Sequence, residues 1–331
     1  MKKLFSIILA IVLVSLCALP AFAAEEEKDA SFGAYEHVFI IGVDGAGRFF
    51  RDADTPNFDR IFKDGAVDYT ARAETVTVSA QNWGAILTGV SYMQHKLTNS
   101  STEPRKSDTQ YPTIFTYARK AMPNAELASY LNWNVINEGI IETDLGVKED
   151  TTNDDGELTD MICKYFEDGG APALFFVQYD SVDHVGHSKG SKSSEFIKQI
   201  ETVDGYIGRV YDTIASKGLM DNGLFIIVAD HGHTRAGGHG GLTMRETNVT
   251  LAVAGKTVVK GGTMDKNTRN RDVAAIALHA LGIERPAHMT ARVPGNLFNG
   301  TAGEKRNIRS DIPDAILSSL AWLVTLCTAL F

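Results

Sequence analysis

Residues 36–47 read EHVFIIGVDGAG, a short apolar run that ends in an aspartate followed by two glycines. The run from Glu36 to Val43 is short, apolar and rich in β-branched or aromatic residues, which is typical of a parallel strand buried on both faces. Asp44 follows it directly, at the position where open α/β sheets carry the polar groups of their sites. The stretch therefore predicts an α/β fold with Asp44 at the carboxyl edge of a central sheet.

Three other apolar runs predict strands of the same buried, parallel kind: Ala173–Tyr179, Leu224–Ala229 and Thr250–Ala254. Helical periodicity occurs in five segments: Asn57–Lys63, Thr113–Ala121, Glu157–Phe166, Glu195–Ser216 and Arg271–Leu281. This alternation is typical of βαβ units, which build a mostly parallel sheet with helices on both faces. The acidic stretch Glu149–Glu157 is predicted to be a surface loop.

The composition is that of a globular protein. The chain has 331 residues, of which 44% are hydrophobic and 22% charged, which excludes disorder, a coiled coil and collagen. With 32 Lys and Arg against 41 Asp and Glu, the formal net charge is −9, so the basic surface of a nucleic-acid-binding protein is not expected. Three cysteines are too few for a disulfide framework.

The first residues predict a secretory signal peptide over residues 1–23. Two lysines, Lys2 and Lys3, precede the apolar stretch Leu4–Leu19, and Ala21-Phe22-Ala23 has the small residues of a cleavage site. An uncleaved membrane anchor is the alternative for this segment. We expect an exported protein whose mature domain covers residues 24–310.

The last residues, 311–331, form an apolar tail. Its segment Ala315–Phe331 contains no charged residue and has 17 residues, the lower limit for crossing a bilayer. Two alternatives follow: a membrane anchor, which would attach the protein to a membrane, or a last helix packed on the domain.

Chemistry-bearing residues also follow the other predicted strands. The sequence DSVDHVGH at 180–187 follows Ala173–Tyr179, DHGH at 230–233 follows Leu224–Ala229, and His239 lies in a glycine-rich stretch. Because the carboxyl ends of parallel strands meet at one edge of a sheet, these side chains are expected to lie close together. Carboxylate and imidazole groups are the ligands of divalent ions of the zinc type. The sequence therefore predicts a metal site.

Ser79 is the candidate nucleophile. Residues 76–79, VTVS, are typical of extended chain, and Gln81–Leu87 of a helix that stops at Thr88-Gly89. Ser79 is therefore expected at a helix N-terminus, where free N–H groups and the helix dipole favour an anion and lower a hydroxyl pKa. An ordinary N-cap serine is the alternative.

In their order along the chain, four motifs resemble the alkaline phosphatase superfamily, most closely its type I phosphodiesterase/nucleotide pyrophosphatase family. They are VDG at 43–45; TPNFDR at 55–60 with Ser79, Asn82-Trp83, LTG at 87–89 and His95; Asp183-x-x-Gly186-His187-x-x-Gly190; and ADHG at 229–232 with GHG at 238–240. The resemblance covers about Glu36 to Phe298. It implies an alkaline-phosphatase-like fold and two divalent metal ions, expected to be Zn²⁺.

The resemblance also implies roles for individual residues. One metal would be held by Asp44, Asp230 and His231, with Ser79 beside it, and the other by Asp183, His187 and His239. Ser79 would attack phosphorus and form a phosphoseryl intermediate that is then hydrolysed. Asn99 matches a family asparagine that donates a hydrogen bond to a phosphoryl oxygen. Asn82 is the other candidate for that role, because the family's usual His-Gly is His95-Lys96 here.

Two departures bear on the substrate. The sequence SAQNW from Ser79 to Trp83 lacks the proline and arginine that sulfatases need near their nucleophile, which disfavours sulfate esters. Seven residues separate His231 from His239, too few for the large cap domain of the nucleotide pyrophosphatases. An open site is therefore expected.

The expected function is a secreted or membrane-attached hydrolase of phosphate esters, either phosphodiesters and pyrophosphates or phosphomonoesters. A small phosphorylated substrate is then the expected partner, and the sequence indicates no oligomeric state. A phosphotransferase that moves a phosphoryl or phospho-headgroup to a lipid or glycan hydroxyl is the alternative. A binding protein without catalysis is a third hypothesis, which the full ligand set disfavours.

Overall fold

A mixed seven-stranded sheet forms the centre of the fold, in the strand order β2-β7-β6-β1-β5-β3-β4. The computed structural model describes residues 29–300 and 303–304, so the predicted signal peptide and the apolar tail lie outside the described residues. The strands are β1 His37–Val43, β2 Ala66–Arg72, β3 Leu127–Leu131, β4 Lys148–Thr151, β5 Leu174–Tyr179, β6 Gly223–Val228 and β7 Asn248–Ala254.

The centre of the sheet is parallel and buried. Strand β1 pairs in parallel with β5 on one side and with β6 on the other, and β3 continues the parallel pairing next to β5. All residues of β5 and β6 are buried, as expected when helices cover both faces of a sheet. The predicted α/β fold with an alkaline-phosphatase-like, mostly parallel sheet is confirmed.

Strand β7 corrects one prediction, because it runs antiparallel to both β6 and β2. Thr250–Ala254 was expected to be parallel, and its complete burial gives it the composition of a parallel strand. A parallel connection needs a crossover that returns the chain to the opposite edge of the sheet. The segment from Ala229 to Thr247 stays at the edge where β6 ends, so the chain can only re-enter the sheet in the reverse direction.

Ten α-helices accompany the sheet in the described residues: α1 Pro56–Phe62, α2 Ser79–Thr88, α3 Tyr92–His95, α4 Ile114–Ala121, α5 Val135–Gly139, α6 Asp155–Glu167, α7 Ser181–Lys189, α8 Ser194–Ser216, α9 Met244–Thr247 and α10 Asp272–Ala280. Helices α1, α6 and α7 pack against α8, whereas α2 and α4 pack against α10. The five predicted helical segments are all helical, with shifted ends.

The acidic stretch Glu149–Glu157, predicted to be a loop, is in part an element. It includes most of the edge strand β4, and α6 begins at Asp155. All four residues of β4 are exposed, so the strand has no apolar pattern that a sequence could show. Asp154 caps α6 by accepting a hydrogen bond from the backbone N–H of Glu157 at 2.8 Å.

The described residues contain no large cap domain. The link between His231 and His239 is a tight turn, in which the backbone N–H of Thr234 donates to the carbonyl oxygen of Gly238 at 3.0 Å. In the described chain, no cap domain is therefore inserted between these two ligand residues. No helix of the described part of the chain combines the length and apolar character needed to cross a membrane.

Candidate metal centre and nucleophile

The first group of candidate ligands, which we call site A, consists of Asp44, Ser79, Asp230 and His231. Oδ1 of Asp44 lies 3.6 Å from Nε2 of His231, and Oδ2 of Asp230 lies 3.2 Å from the same nitrogen. Ser79 Oγ also approaches this nitrogen, at 3.2 Å. The structure therefore brings together all four residues that the sequence analysis assigned to the first metal.

Each carboxylate of site A has one oxygen fixed by the protein and one left without a hydrogen bond. Oδ2 of Asp44 accepts from Trp83 Nε1 at 2.8 Å and from Gln178 Nε2 at 3.0 Å. Oδ1 of Asp230 accepts from the backbone N–H groups of Gly45 and His231. The other oxygens, Oδ1 of Asp44 and Oδ2 of Asp230, are buried and have no hydrogen-bond partner among the described residues.

The second group, site B, consists of Asp183, His187 and His239. Asp183 and His187 are one turn apart on α7, and Oδ2 of Asp183 lies 3.3 Å from Nε2 of His187. Nε2 of His239 lies 3.1 Å from Nε2 of His187. Nδ1 of His239 donates to the carbonyl oxygen of Thr77 at 2.6 Å, so the lone pair of Nε2 faces the site.

Burial and neighbouring groups shift the pKa values of the candidate ligands in both sites. Burial, and then the neighbouring carboxylates of Asp230 and Asp183, raise the pKa of Asp44 well above its usual range. Burial likewise raises the pKa of Asp230 and lowers that of His231. Burial by itself would raise the pKa of Asp183. The hydrogen bond from His233 and the nearby histidines outweigh burial and lower this pKa to about 2.

These residues fit divalent cations. Asp44 and Asp230 are buried carboxylates, each with one oxygen that accepts no hydrogen bond from the described residues, and burial of an uncompensated carboxylate is strongly unfavourable. Within each site the ligand atoms lie within 4.8 Å of one another. A mixture of carboxylate oxygens and neutral imidazole nitrogens is the donor set of zinc-type ions. Each site therefore presents a suitable set of donors for one ion.

Ser79 is the first residue of α2, as predicted, and the helix ends at Gly89 in the left-handed conformation. Its side chain is buried and reaches site A through His231. The backbone N–H of Ala80, in the first turn of α2, donates to Oδ1 of Asn99 at 3.0 Å. Asn99 therefore stands beside the nucleophile's helix terminus, and it is an exposed residue.

Asn82, the other candidate phosphoryl donor, has its amide committed to the protein interior. Its Oδ1 accepts from the backbone N–H of Glu74 at 2.7 Å and from Asn270 Nδ2 at 2.9 Å. Its Nδ2 donates to the carbonyl oxygen of Val78 at 3.1 Å. Asn82 is fully buried, and these contacts fix the chain that leads into Ser79.

Four residues around the two sites have roles that the sequence analysis did not assign: Trp83, Gln178, Asp180 and His233. Trp83 and Gln178 hold Asp44, and Gln178 also donates to Oδ1 of Asp180 at 2.9 Å. Burial, followed by the charge of Asp183, raises the pKa of Asp180 to about 6. The sequence did contain a signal that places His233 near the site, because His233 lies two residues after the candidate ligand His231 in the DHGH stretch.

The fold and the two ligand sets together define a member of the alkaline phosphatase superfamily. A sequence model of the family described as "Type I phosphodiesterase / nucleotide pyrophosphatase" matches residues 38–297. The chain belongs to this family, as the four motifs indicated.

Relatives with established names match parts of the chain. The 2,3-bisphosphoglycerate-independent phosphoglycerate mutase of Listeria monocytogenes is 34% identical over 134 residues, 40% of this chain and 25% of the mutase. The GPI ethanolamine phosphate transferase 2 of Aspergillus fumigatus is 23% identical over 247 residues, 71% of this chain and 32% of the transferase. The chain thus spans between a quarter and a third of the length of these relatives.

Solved structures share the fold. Murine ectonucleotide pyrophosphatase/phosphodiesterase 5, in complex with AMP, superposes with a TM-score of 0.63 at 13% identity, over 76% of this chain and 96% of that one. A phosphonate monoester hydrolase from Silicibacter pomeroyi superposes with a TM-score of 0.61 at 14% identity, over 77% and 75% of the two chains. At these identities the likeness shows the fold alone.

Proposed function

We propose that the protein is an exported hydrolase of phosphoric esters that uses Ser79 as its nucleophile and two Zn²⁺ ions as cofactors. The observation that carries the proposal is the position of Ser79 Oγ, at the start of α2 and 3.2 Å from Nε2 of His231 in a site with two unpartnered carboxylate oxygens. Membership of the type I phosphodiesterase/nucleotide pyrophosphatase family supports the same reaction class.

The ions would be held by Asp44, Asp230 and His231 in site A and by Asp183, His187 and His239 in site B. When bound, they lower the pKa of the serine hydroxyl and offset the charge of the transferred phosphoryl group. Ser79 Oγ forms a bond to phosphorus while the bond from phosphorus to the leaving oxygen breaks. Water then attacks the phosphoseryl group and releases Ser79.

Two groups of the chain bind the phosphoryl oxygens in this proposal. The N-terminus of α2 presents backbone N–H groups and the positive end of the helix dipole. Asn99 supplies a further donor, because Ala80 occupies its Oδ1 and leaves Nδ2 to donate. Asn82 instead holds the segment before Ser79 in place.

The test is a comparison of wild type with Ser79→Ala on bis(4-nitrophenyl) phosphate and 4-nitrophenyl phosphate. We expect Ser79→Ala to lose at least a hundredfold in kcat, about 3 kcal/mol of barrier, while it still binds two equivalents of Zn²⁺. Ser194→Ala, on the exposed start of α8, is the matched control and should retain full activity. Near-normal turnover by Ser79→Ala would refute the proposed nucleophile, and undiminished turnover by metal-free protein would refute the role of the ions.

A second candidate function is phosphotransfer, favoured by the match to GPI ethanolamine phosphate transferase 2 over 71% of this chain. A lipid or glycan hydroxyl would replace water in the second step. The experiment offers phosphatidylethanolamine as donor and octyl glucoside as acceptor. Ser79 would take up the phosphoethanolamine group as diacylglycerol leaves, and the assay quantifies phosphoethanolamine glucoside against free phosphoethanolamine. If the acceptor hydroxyl competes with water only in proportion to its concentration, little transfer product is expected. Transfer well above that proportion would favour the transferase, and hydrolysis alone would favour the hydrolase.

Export and membrane attachment are a separate part of the proposal, supported by the apolar composition of residues 4–19 and 315–331. Fractionation of cells that produce the full chain tests it. A protein retained in the cytoplasm would contradict export. Release of a chain ending at residue 310 from the membrane fraction would support the anchor, whereas a full-length chain found only in soluble fractions would contradict it.

A further inference from the structure

His233 is a fully buried histidine in contact with site B that belongs to neither predicted ligand set. Its Nε2 lies 2.8 Å from Oδ1 of Asp183. We propose that His233 is a positioning residue, which fixes the orientation of Asp183 and thereby sets the affinity of site B for its cation. The inference rests on the proposed two-metal function.

The hydrogen bond has a defined direction. An ionised carboxylate only accepts hydrogen bonds, so Nε2 of His233 carries the proton and donates. The nitrogen that faces site B therefore has no lone pair for a metal. The other nitrogen, Nδ1, is buried and has no hydrogen-bond partner in the part of the chain that the structure describes. His233 consequently acts on the cation through Asp183.

The imidazole ring is held rigidly in its place. A Cβ atom at Gly186, on α7, would lie 2.4 Å from Nε2 and Cδ2 of His233, so the helix carrying Asp183 packs directly on the ring. Phe196 meets the ring edge-on from α8, with centroids 5.9 Å apart. The ring cannot turn without displacing these elements, and its N–H therefore stays directed at Asp183.

The hydrogen bond gives the two oxygens of Asp183 different surroundings. Oδ1 accepts from His233, and Oδ2 is left 3.3 Å from Nε2 of His187. Asp183 lies in the first turn of α7, its side chain is 13% exposed, and its Oδ1 is fixed by the hydrogen bond from His233. Groups that orient a metal ligand in this way commonly contribute 10- to 100-fold to metal affinity.

The experiment titrates metal-free full-length protein with Zn²⁺ alone and measures the two dissociation constants by calorimetry. In His233→Leu we expect the affinity of one site to fall 10- to 100-fold while the other remains as in wild type. In His233→Gln, whose amide N–H reaches about as far as Nε2, both affinities should stay within about threefold of wild type. His37→Gln is the matched control, because His37 lies at the opposite edge of the sheet.

Unchanged affinities in His233→Leu would overturn the inference, and so would equal losses in His233→Leu and His233→Gln. Should His233→Leu fail to fold, His233→Asn replaces it, because its shorter amide cannot reach Asp183 but remains polar. A wild-type protein that binds fewer than two ions would instead contradict the proposed two-metal function on which the inference rests. The two kinds of failure are thereby distinguished.

Discussion

The indole Nε1 of Trp83 donates a 2.8 Å hydrogen bond to Oδ2 of Asp44, and both side chains are almost completely buried. Trp83 lies on α2, which begins with Ser79, whereas Asp44 follows β1. The contact therefore joins the helix of the nucleophile to the strand that carries a metal ligand. It also requires a glycine in the strand, because a Cβ at Gly42 would lie 2.4 Å from the indole ring.

Trp83→Phe should weaken metal binding at site A. The substitution retains an aromatic ring but removes the N–H, so Oδ2 of Asp44 keeps only its hydrogen bond from Gln178. Loss of such an orienting group is expected to reduce Zn²⁺ affinity about 10- to 100-fold. Competition with a chromophoric chelator measures this directly.

Trp133→Phe is the control for this experiment. Trp133 contacts the same network only through its backbone N–H, which donates to Oε1 of Gln178 at 2.8 Å, so its ring can change without altering Asp44. Equal affinity in Trp83→Phe and Trp133→Phe would show that the indole N–H does not orient Asp44.

Local signals allowed the sheet edge and the candidate ligands along it to be predicted, whereas their division into two ligand sets came from the family resemblance. Asp44 and Asp230 directly follow apolar runs, and Asp183 and His187 are spaced by one helical turn. The sequence could not show that β7 is antiparallel, because a strand that is completely buried has the same apolar composition in either direction. Strand β4 was missed because all of its residues are exposed.

The supporting residues were harder to predict because they act across the fold. Gln178 lies in the buried strand β5, so the sequence alone groups it with the core residues. Its partners Asp44 and Trp133 lie 134 and 45 positions away in the sequence. The choice between Asn82 and Asn99 was also beyond the sequence. It depends on which amide is enclosed by Glu74 and Asn270, and that is a property of packing.

Substitution of Asn82 should lower stability, whereas substitution of Asn99 should lower activity. Asn82→Ala removes several buried hydrogen bonds and should lower the free energy of unfolding by about 2–4 kcal/mol. Asn99→Ala changes an exposed side chain and should leave stability within about 0.5 kcal/mol. We expect Asn99→Ala to reduce kcat at least tenfold with an unchanged urea midpoint. A stable Asn82→Ala, or a fully active Asn99→Ala, would reverse the assignment.

Asp265 should make stability depend on pH in the acid range. Burial raises its pKa, but hydrogen bonds from Arg292 and from the backbone N–H groups of Gly295 and Asn267 outweigh burial and lower the pKa to about 2. Because the folded-state pKa is below the unfolded value of about 3.9, the stabilisation is complete above about pH 4 and is lost as the pH falls towards 2.

Urea unfolding of wild type and Asp265→Asn between pH 7 and pH 3 measures this effect. We expect wild type to be more stable by about 1 kcal/mol at pH 7, discounted for the partial exposure of the pair, and the difference to shrink by pH 3. Asp160→Asn is the control, since Asp160 forms an exposed ion pair with Arg209. A difference that does not change between pH 7 and pH 3 would contradict the prediction.

The last prediction is broad specificity towards the group that the phosphate carries. Two segments that could form a selective wall, Arg48–Arg51 and Tyr130–Glu142, are partly buried in the domain. The short 3₁₀-helix Phe49–Asp52 buries Phe49 and Phe50. Glu142, at the end of the region that starts at Tyr130, is buried and accepts from the backbone N–H of Thr113 at 2.9 Å. Among the described residues, Trp133 is a partly buried large side chain whose backbone N–H donates to Oε1 of Gln178 at 2.8 Å, and Gln178 in turn holds Asp44.

Binding energy must then come mainly from the phosphoryl group, so different remote groups should change kcat/KM by about tenfold at most, or about 1.4 kcal/mol. Aryl phosphate esters and nucleotides of the same ester type provide the comparison, and Trp133→Ala should shift their ratio by less than tenfold. A preference above about a thousandfold, roughly 4 kcal/mol, for one nucleotide or lipid headgroup would show that a recognition surface exists. If Trp133→Ala abolished such a preference, Trp133 would be its main element.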